Sequence, residues 1–322
     1  GSRWVCATIP NRVVVDFPTK VGYPSGSLTL YQKDVGSSVT IMSSVASLEA
    51  AGNKWHVHRF PTDAMGGVDD SGCGTAVTAG HYDPTFKAGS YTTPCTDQSS
   101  CEVGDLSGKF GLLGASGTTS DMATYTDTTL SLLYDASTGQ KGSMWAVGRS
   151  IVIHKADGSR WACANIGEAG VGVDVAFPTS VTGSIELFQP ASGYASYEYA
   201  RSTNSAYSTS MTVSLTGYEA ASNKWHVHDF PVPSTGSCAG TGGHYDPLQS
   251  VPEYGDLSAK WGKLGEAGKD LATGQAYVLD STLPLYGKYS SLGRSIVVHK
   301  ADGSRWVCAT IPNRVVVDFP AV

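Results

Sequence analysis

Two short stretches of the chain place a pair of histidines one residue apart within a run of strand-forming residues. They read "NKWHVHRF" at residues 53–60 and "NKWHVHDF" at residues 223–230. Alternate residues of a β-strand point to the same side, so His56 and His58 can hold one ion while Val57 faces the core. The repeated pattern therefore predicts two metal sites that are built on strands.

All eight histidines of the chain fall into two matching sets of four. Each set combines the His-Val-His pair, a histidine in "GHYDP" and a lone histidine that ends a β run. A lone histidine is usually a surface or packing residue, but the same four in two otherwise diverged halves indicate metal ligands. Four imidazoles without a thiolate favour copper over structural zinc. The predicted ligands are His56, His58, His81 and His154 in the first half and His226, His228, His244 and His299 in the second.

The histidine sets belong to a longer internal repeat. The first 18 residues recur letter for letter at Gly303–Pro320, and "GHYDP", "GDLS" and "GRSIV" each occur twice in the same order. Such self-similarity predicts a tandem array of whole domains. We expect domain 1 at residues 9–165 and domain 2 at residues 166–311. Residues 1–8 resemble the last strand of a preceding repeat, and residues 312–322 resemble the first strand of a following one. We therefore expect further repeats of the same array as partners.

The composition predicts an all-β fold. The chain contains 38 Gly and 15 Pro, and its apolar residues alternate with polar ones in short runs such as "SGSLTLYQ" and "SIELFQ". This pattern is typical of half-buried strands joined by turns, and no run of twelve or more residues shows a helical period. Several strands at this spacing indicate an antiparallel sandwich or barrel.

Charge and cysteine content restrict the partners and the compartment. The formal net charge is −6 without a basic block, which argues against nucleic-acid binding and polybasic membrane contact. No stretch approaches the roughly 18 apolar residues of a transmembrane helix, so no membrane insertion is expected. The N-terminal residues lack a signal-peptide pattern, as in a mature or excised chain. Seven cysteines without a CxxC pair favour disulfides and a secreted, extracellular protein.

In this order, the motifs "HVH", "GHYDP", "GDLS" and "GRSIV…HKADGSRW" resemble those of the copper-zinc superoxide dismutases, and the resemblance covers most of the chain. It implies two tandem Greek-key β-barrels of the immunoglobulin-like sandwich type, each binding copper through its four histidines. By the same resemblance, Arg160 and Arg305 match the arginine that guides and holds the superoxide anion. Because "ADGS" signals a turn, a hairpin should also bring Arg160 close to His154.

Two departures from the zinc-containing members point to the copper-only superoxide dismutases, in particular to the repeat proteins of that type. The interval between "GHYDP" and "GDLS" has no histidine for zinc, and only "KADGS" separates His154 from Arg160. Copper-only members place a glutamate three residues before the aspartate of "GDL", where it can orient the neighbouring copper ligand. The matching residues, which could also be ordinary loop carboxylates and turn caps, are Glu102, Asp105, Glu253 and Asp256.

The resemblance also implies one intradomain disulfide in each half, Cys73–Cys163 and Cys238–Cys308. A swapped pairing that uses Cys6 is arithmetically possible, but the short hairpin holds Cys163 beside His154 and favours the unswapped one. Cys95 and Cys101 would then form a small clip in the longer loop of the first half. Cys6 is left over, either free or intermolecular.

The predicted function is that of an extracellular copper-only superoxide dismutase, with superoxide as substrate, one copper per domain and no zinc. The alternative is an extracellular copper-binding protein for storage or delivery with little dismutase activity. The two arginines favour catalysis, because storage needs no arginine. An adhesive array with vestigial sites is a third possibility, which the retention of every ligand in both halves disfavours.

Overall fold

The computed structural model describes residues 11–34, 36–62, 66–87, 95–114, 117–133, 144–167, 170–189, 209–219, 222–269, 271–285 and 289–313. The chain divides into two compact units, Gly1–Gly170 (unit 1) and Val171–Val322 (unit 2). Ile166 still packs in the core of unit 1. The predicted boundary between residues 165 and 166 lies near this division and stays a prediction. The predicted strand at 1–8, Cys6 and all but two residues of 312–322 lie outside the described residues.

Unit 1 consists of two antiparallel sheets. In the first sheet, β1 (Asn11–Phe17), β2 (Ser25–Gln32) and β3 (Val39–Ala46) pair in order, and β3 also pairs β6 (Ser120–Asp121) and β7 (Thr124–Asp127). The second sheet has the order β4-β8-β9-β5, formed by β4 (Trp55–His58), β5 (Gly66–Val68), β8 (Ser150–His154) and β9 (Arg160–Asn165). The chain crosses from β3 to β4, returns as β7 beside β3 and crosses again to β8 beside β4. This is Greek-key connectivity.

Unit 2 repeats this arrangement. Its first sheet runs β10-β11-β12-β14, with β10 (Val171–Thr179), β11 (Val181–Gln189), β12 (Thr209–Thr216) and β14 (Gln275–Asp280). Its second sheet is formed by β13 (Trp225–His228), β15 (Ser295–His299) and β16 (Arg305–Thr310), in that order. Each unit has its own core of buried aliphatic and aromatic side chains between its two sheets.

The helices of the described residues are all short. They are α1 (Asp69–Cys73), α2 (Thr75–Thr78), α3 (Leu106–Phe110) and α4 (Leu257–Trp261), with 3-10 turns at Gln98–Ser100 and Cys238–Thr241. The prediction of an all-β fold built from antiparallel strands is therefore confirmed. None of the helices in the described part of the chain has the length and apolar character that crossing a bilayer requires.

Strand β4 is buried on both faces, and this is what turns its histidines into a site. Trp55 and Val57 point into the core of unit 1, so His56 and His58 must face the opposite side. Loops cover that side and leave both imidazoles almost without solvent contact. In unit 2, β13 does the same with Trp225 and Val227.

A close backbone contact ties β4 to the two motif segments that complete the site. Val57 N–H donates to Gly104 O at 2.8 Å, Gly104 N–H to Tyr82 O at 2.7 Å, and Tyr82 N–H to Val57 O at 2.9 Å. A Cβ on residue 104 would lie 2.4 Å from Val57 O, so only glycine fits. Gly255 is constrained in the same way by Val227 O. The glycine of "GDLS" thus places the segment after the clip directly against the histidine strand.

Candidate metal centre

The four histidines of each unit come together although they lie on separate segments. In unit 1 the first two are on β4, the third follows α2 and the fourth ends β8. One ring nitrogen from each of His56, His58, His81 and His154 lies within 4.8 Å of the others, and the same is true of His226, His228, His244 and His299. Each set can therefore share a single ion.

Hydrogen bonds fix the orientation of three rings in unit 1. The Nδ1–H of His58 donates to Ala79 O at 3.0 Å, that of His154 to Gly158 O at 3.0 Å, and that of His81 to Oε2 of Glu102 at 2.8 Å. Since the acceptors are oxygens, Nδ1 carries the proton in all three rings. Nε2 is then the nitrogen that can bind a metal.

His56 is turned the other way. Its Nε2 lies 3.5 Å from Oδ1 of Asp105, while its Nδ1 is buried and has no hydrogen-bond partner. In unit 2 the Nε2 of His226 lies 3.4 Å from Asp256, and its Nδ1 is again buried without a partner. The first histidine of each set therefore offers Nδ1 to the cluster.

The donor set fits a cation. The inward Nε2 atoms of His58 and His154 are buried and unpartnered. In unit 2 the Nε2 atoms of His228 and His299 lie 3.3 Å apart, although the Nδ1 of each ring already donates to a carbonyl, of Gly242 and Gly303 respectively. Two neutral rings in this tautomer bring lone pairs face to face. A metal ion between them would convert this repulsion into ligation.

Burial keeps His154, His226 and His228 neutral. It lowers the pKa of His154 to about 4, that of His226 to about 3 and that of His228 to about 4, and it is the largest cause in each case. The neighbouring histidines of the cluster lower the pKa further, because a second imidazolium would repel the first. Neutral imidazole is the form that binds metals.

The predicted carboxylates lie next to the ligands in both units. Glu253 accepts from His244 Nδ1–H at 2.8 Å, the same distance as in the Glu102–His81 pair. Asp105 caps α3 by accepting from Gly108 N–H at 2.8 Å, and its Oδ1 also lies 3.5 Å from Nε2 of His56. Burial raises the pKa of Asp105, whereas the Gly108 N–H lowers it. Each aspartate thus combines a turn cap with a contact to a candidate ligand.

Arg160 lies beside the cluster and is held by the loop that the disulfide encloses. Its guanidinium donates to Cys73 O at 2.7 Å, to Thr78 Oγ1 at 2.6 Å and to Ala79 O at 2.6 Å. Ala79 O also accepts from His58, so one carbonyl orients both a candidate ligand and the cation. Arg305 makes the matching contacts with Cys238 O, at 2.9 Å, and with Gly242 O.

The described residues contain three disulfides: the two that the resemblance implied and the expected clip Cys95–Cys101. Cys73–Cys163 and Cys238–Cys308 each have a Cα–Cα distance of 5.7 Å and join the last strand of a unit to the segment that holds its arginine. Cys95–Cys101 closes a short loop directly before Glu102.

Sequence reasoning missed an asparagine that links the histidine strand to the hairpin. Asn53 Nδ2 donates to His154 O at 2.8 Å and to Glu49 Oε2 at 3.0 Å, and Glu49 also accepts from Ala156 N–H in the hairpin turn. Asn223 and Glu219 repeat these contacts in unit 2. The signal was available, because the asparagine is part of the repeated "NKWHVH" motif.

A buried lysine was missed as well. Lys109 Nζ donates to Val103 O at 2.6 Å, Thr129 Oγ1 at 2.6 Å and Asp127 Oδ2 at 2.9 Å, with both charged side chains fully buried. It thereby holds the carbonyl directly after Glu102. Lys260 does the same in unit 2 with Tyr254 O, Thr282 and Asp280. We call Lys109 and Lys260 the lysine clamps; their sequence signal is "GDLS" followed by any residue and lysine.

The arginine of "GRSIV" supports the "GHYDP" segment. Arg149 lies 3.8 Å over the ring of Tyr82, and Arg294 lies 3.6 Å over Tyr245, so each stacks on the tyrosine directly after a candidate ligand. Arg149 also donates to Arg59 O at 2.6 Å, which anchors it to the chain just beyond β4.

Comparison with known proteins agrees with this geometry. A family model described as copper/zinc superoxide dismutase matches residues 24–174 and 191–306, one segment in each unit. A cell surface copper-only superoxide dismutase of Arthroderma benhamiae is 40% identical over 113 residues, which cover 34% of this chain and 26% of that protein. Copper-zinc superoxide dismutase 3 of Arabidopsis thaliana is 31% identical over 129 residues, covering 39% of this chain and 68% of that protein.

Candida albicans supplies further relatives. Its cell surface copper-only superoxide dismutase 5 is 27% identical over 156 residues, covering 45% of this chain and 66% of that protein. A solved structure of that enzyme with copper(II) superposes with a TM-score of 0.39 at 26% identity, covering 50% of this chain and 93% of the other. The matches to the Arthroderma benhamiae protein and to superoxide dismutase 5 of Candida albicans span less than two thirds of the relative's length.

Removal of one lysine clamp should destabilise unit 1. In Lys109→Met the buried Asp127 loses its charged partner, and we expect a loss of about 3–5 kcal/mol in unfolding free energy, measured by urea denaturation. Asp127 Oδ1 still accepts from the N–H groups of Thr129 and Leu130. The double variant Lys109→Met/Asp127→Asn keeps these bonds without the charge and should recover much of the loss. A single variant as stable as the wild type would contradict the assigned role.

The metal-free protein should lose stability in mild acid. The histidines with lowered pKa values bind protons in the unfolded chain below about pH 6.5 but resist them in the folded state until about pH 4 or 3. The unfolded state therefore binds more protons in this window, and stability falls as the pH drops, with a slope of up to about 1.4 kcal/mol per pH unit for each such histidine. Thermal melts of the metal-free protein between pH 7 and pH 4 would measure it; a flat profile would contradict it.

Proposed function

Because the chain belongs to the copper/zinc superoxide dismutase family, we propose that each unit binds one copper ion and that the protein disproportionates superoxide to dioxygen and hydrogen peroxide. The observation that carries the proposal is the convergence of four ring nitrogens within 4.8 Å in each unit, where three of the four rings are oriented by Nδ1–H bonds to oxygen acceptors. When bound, copper supplies one-electron chemistry that oxidises one superoxide and reduces the next.

The arginines supply the attraction for the anion. Arg160 and Arg305 are fixed by two or more carbonyl bonds each, so their positive charge stays beside the cluster at no further cost in ordering. A fixed cation at the mouth of a small site raises the local concentration of an anion and steers its approach. Superoxide is a small anion, and this arrangement suits it.

The carboxylates orient the third histidine and support its protonated form. Glu102 accepts the Nδ1 proton of His81, which sets the ring's tautomer. The same carboxylate would stabilise a second proton on Nε2 of His81, because an imidazolium beside a carboxylate is favoured by Coulomb attraction. His81 can thus hold one of the protons that peroxide formation requires. His244 and Glu253 have the same geometry in unit 2.

We propose copper without zinc. All eight histidines of the chain belong to the two histidine clusters. Glu102 and Glu253 accept the Nδ1–H of the third histidine of each cluster. Cys95, Cys101 and Asp105 form another group with ligand spacing, but the two sulfurs are joined as a disulfide. An extracellular location is proposed from the disulfides and from relatives whose names place them at the cell surface.

Metal loading tests the proposal directly. We expect the purified chain to bind two copper ions and no zinc, with an electron paramagnetic resonance spectrum that shows nitrogen hyperfine splitting. The copper-loaded protein should dismutate superoxide faster than an equal amount of free copper. The variant His58→Gln/His228→Gln, which lacks one ligand per unit, serves as the control and should lose both properties. Two bound coppers without dismutation would favour a storage or delivery role instead.

Loss of the arginine charge should slow the reaction but spare copper binding. In Arg160→Leu/Arg305→Leu we expect kcat/KM to fall by about tenfold and to become less sensitive to ionic strength, because electrostatic steering is removed. Arg160→Lys/Arg305→Lys retains the charge and should keep most of the rate and its salt dependence. Copper affinity, measured by competition with a chelator, should stay unchanged. A matching fall in affinity would show that the arginines act through the ligands.

A further inference from the structure

The two histidine clusters have the same hydrogen bonds but different access to water. In unit 1 the side chains of His81 and Glu102 are 16% and 8% exposed, whereas their counterparts His244 and Glu253 are 35% and 43% exposed. The aspartates differ in the same direction, with Asp105 at 2% and Asp256 at 27%. The difference is therefore confined to the side of the site where the carboxylates lie.

The segment Cys95–Cys101 lies over this side in unit 1. Each cysteine sulfur is within 4.8 Å of a carboxylate oxygen of Asp105 and of the other sulfur. Cys95 N–H donates to Gly108 O at 2.9 Å, so the segment is also bonded to α3. Cys101 is buried and directly precedes Glu102. We call Cys95–Cys101 the cover.

The cover is attached at a second point to the end of β7. Gln98 Nε2 donates to Thr126 O at 2.8 Å, and Gln98 Oε1 accepts from Thr128 N–H at 2.7 Å. A disulfide, a bond to α3 and a bidentate amide contact together give this short segment a defined position. It is thus held against Asp105 and directly before Glu102 by contacts with α3 and with the end of β7.

Unit 2 lacks the residues that build such a cover. Between "GHYDP" and Glu253 it has only "LQSVP", without a cysteine. Residue 108 also differs: a Cβ at Gly108 would lie 2.2 Å from Asp105 Oδ2 and 3.0 Å from Cys95 Sγ, and the equivalent residue in unit 2 is Ala259. The glycine therefore leaves room first for the capping aspartate and then for the sulfur of the cover.

We propose that the cover slows the release of copper from unit 1, so that the two sites of one chain exchange copper at different rates. The inference rests on the proposed copper binding. His81 and His244 are the most exposed ligands of their sets, and each is held in place by its glutamate. Water that reaches Glu253 competes for the hydrogen bond to His244 and lets the ring turn away. Exclusion of water by the cover strengthens the same bond in unit 1.

Single-site variants allow each rate to be measured alone. His226→Gln/His228→Gln leaves the unit 1 site, and His56→Gln/His58→Gln leaves the unit 2 site. Each variant is loaded with one Cu(II), mixed with excess EDTA, and followed by the decay of its protein-bound paramagnetic resonance signal. We expect slower decay from unit 1. Cys95→Ser/Cys101→Ser in the unit 1 variant should accelerate its decay by about tenfold, the lower end of the effect of outer-shell changes on metal sites.

Two further variants keep the test decisive. Gln98→Ala loosens the cover without touching the disulfide and should accelerate release from unit 1, which decides the matter if the cysteine variant fails to fold. Thr96→Ala changes an exposed side chain of the same segment and should leave the rate unchanged. Equal rates from the two units, or a unit 1 rate insensitive to both cover changes, would overturn the inference. Failure of either single-site variant to bind copper would instead count against the proposed function.

Discussion

The structure depends on how protons are distributed over the histidine rings. In every ring except the first of each set, Nδ1–H donates to an oxygen outside the cluster, and the other nitrogen is turned inward. Burial lowers the pKa of His228 and His299 and so disfavours their protonation, and the lone pairs of their inward nitrogens meet at 3.3 Å. An unsatisfied buried polar atom costs about 1–3 kcal/mol, and the fold bears this cost in a metal-free site. A metal ion bound there would remove it, which would couple the affinity of the site to the rigidity of its surroundings.

That rigidity comes largely from backbone carbonyls. Ala79 O accepts from both His58 and Arg160, and Gly158 O, in the turn of the hairpin, accepts from His154. The disulfide Cys73–Cys163 ties the loop with Ala79 to β9, the strand that begins at Arg160. Ligand orientation and the position of the cation are therefore not independent. A change in the loop would move both, which explains how a short hairpin and a disulfide can position the guanidinium charge without any long loop.

How much the sequence could predict follows from the range of the interactions. The pairing of His56 with His58 depends only on the two-residue period of a strand, and the approach of Arg160 to His154 only on a tight turn, so both were predictable. Glu102 was placed by family resemblance, because nothing local links it to His81, 21 residues away. Lys109, Asn53 and Ala79 escaped prediction because each depends on a backbone carbonyl that only the fold brings into contact: Val103 O, His154 O and the carbonyl of Ala79 itself. Asn53 and Lys109 recur in the second half, whereas Ala79 corresponds to Gly242 and acts only through its carbonyl.

The two units separate the contribution of geometry from that of burial. The distance from His to Glu is 2.8 Å in both, although Glu102 is nearly buried and Glu253 is half exposed. Exclusion of water therefore does not set this distance. The features common to both units are the lysine clamp on the carbonyl after the glutamate and the glycine of "GDLS" packed against the histidine strand. Since these two contacts hold the segment with the glutamate on its inner side, the solvent-facing side of the site can differ between units without disturbing the histidines. Exposure of the site can thus differ between the two units while the arrangement of the histidine rings stays constant.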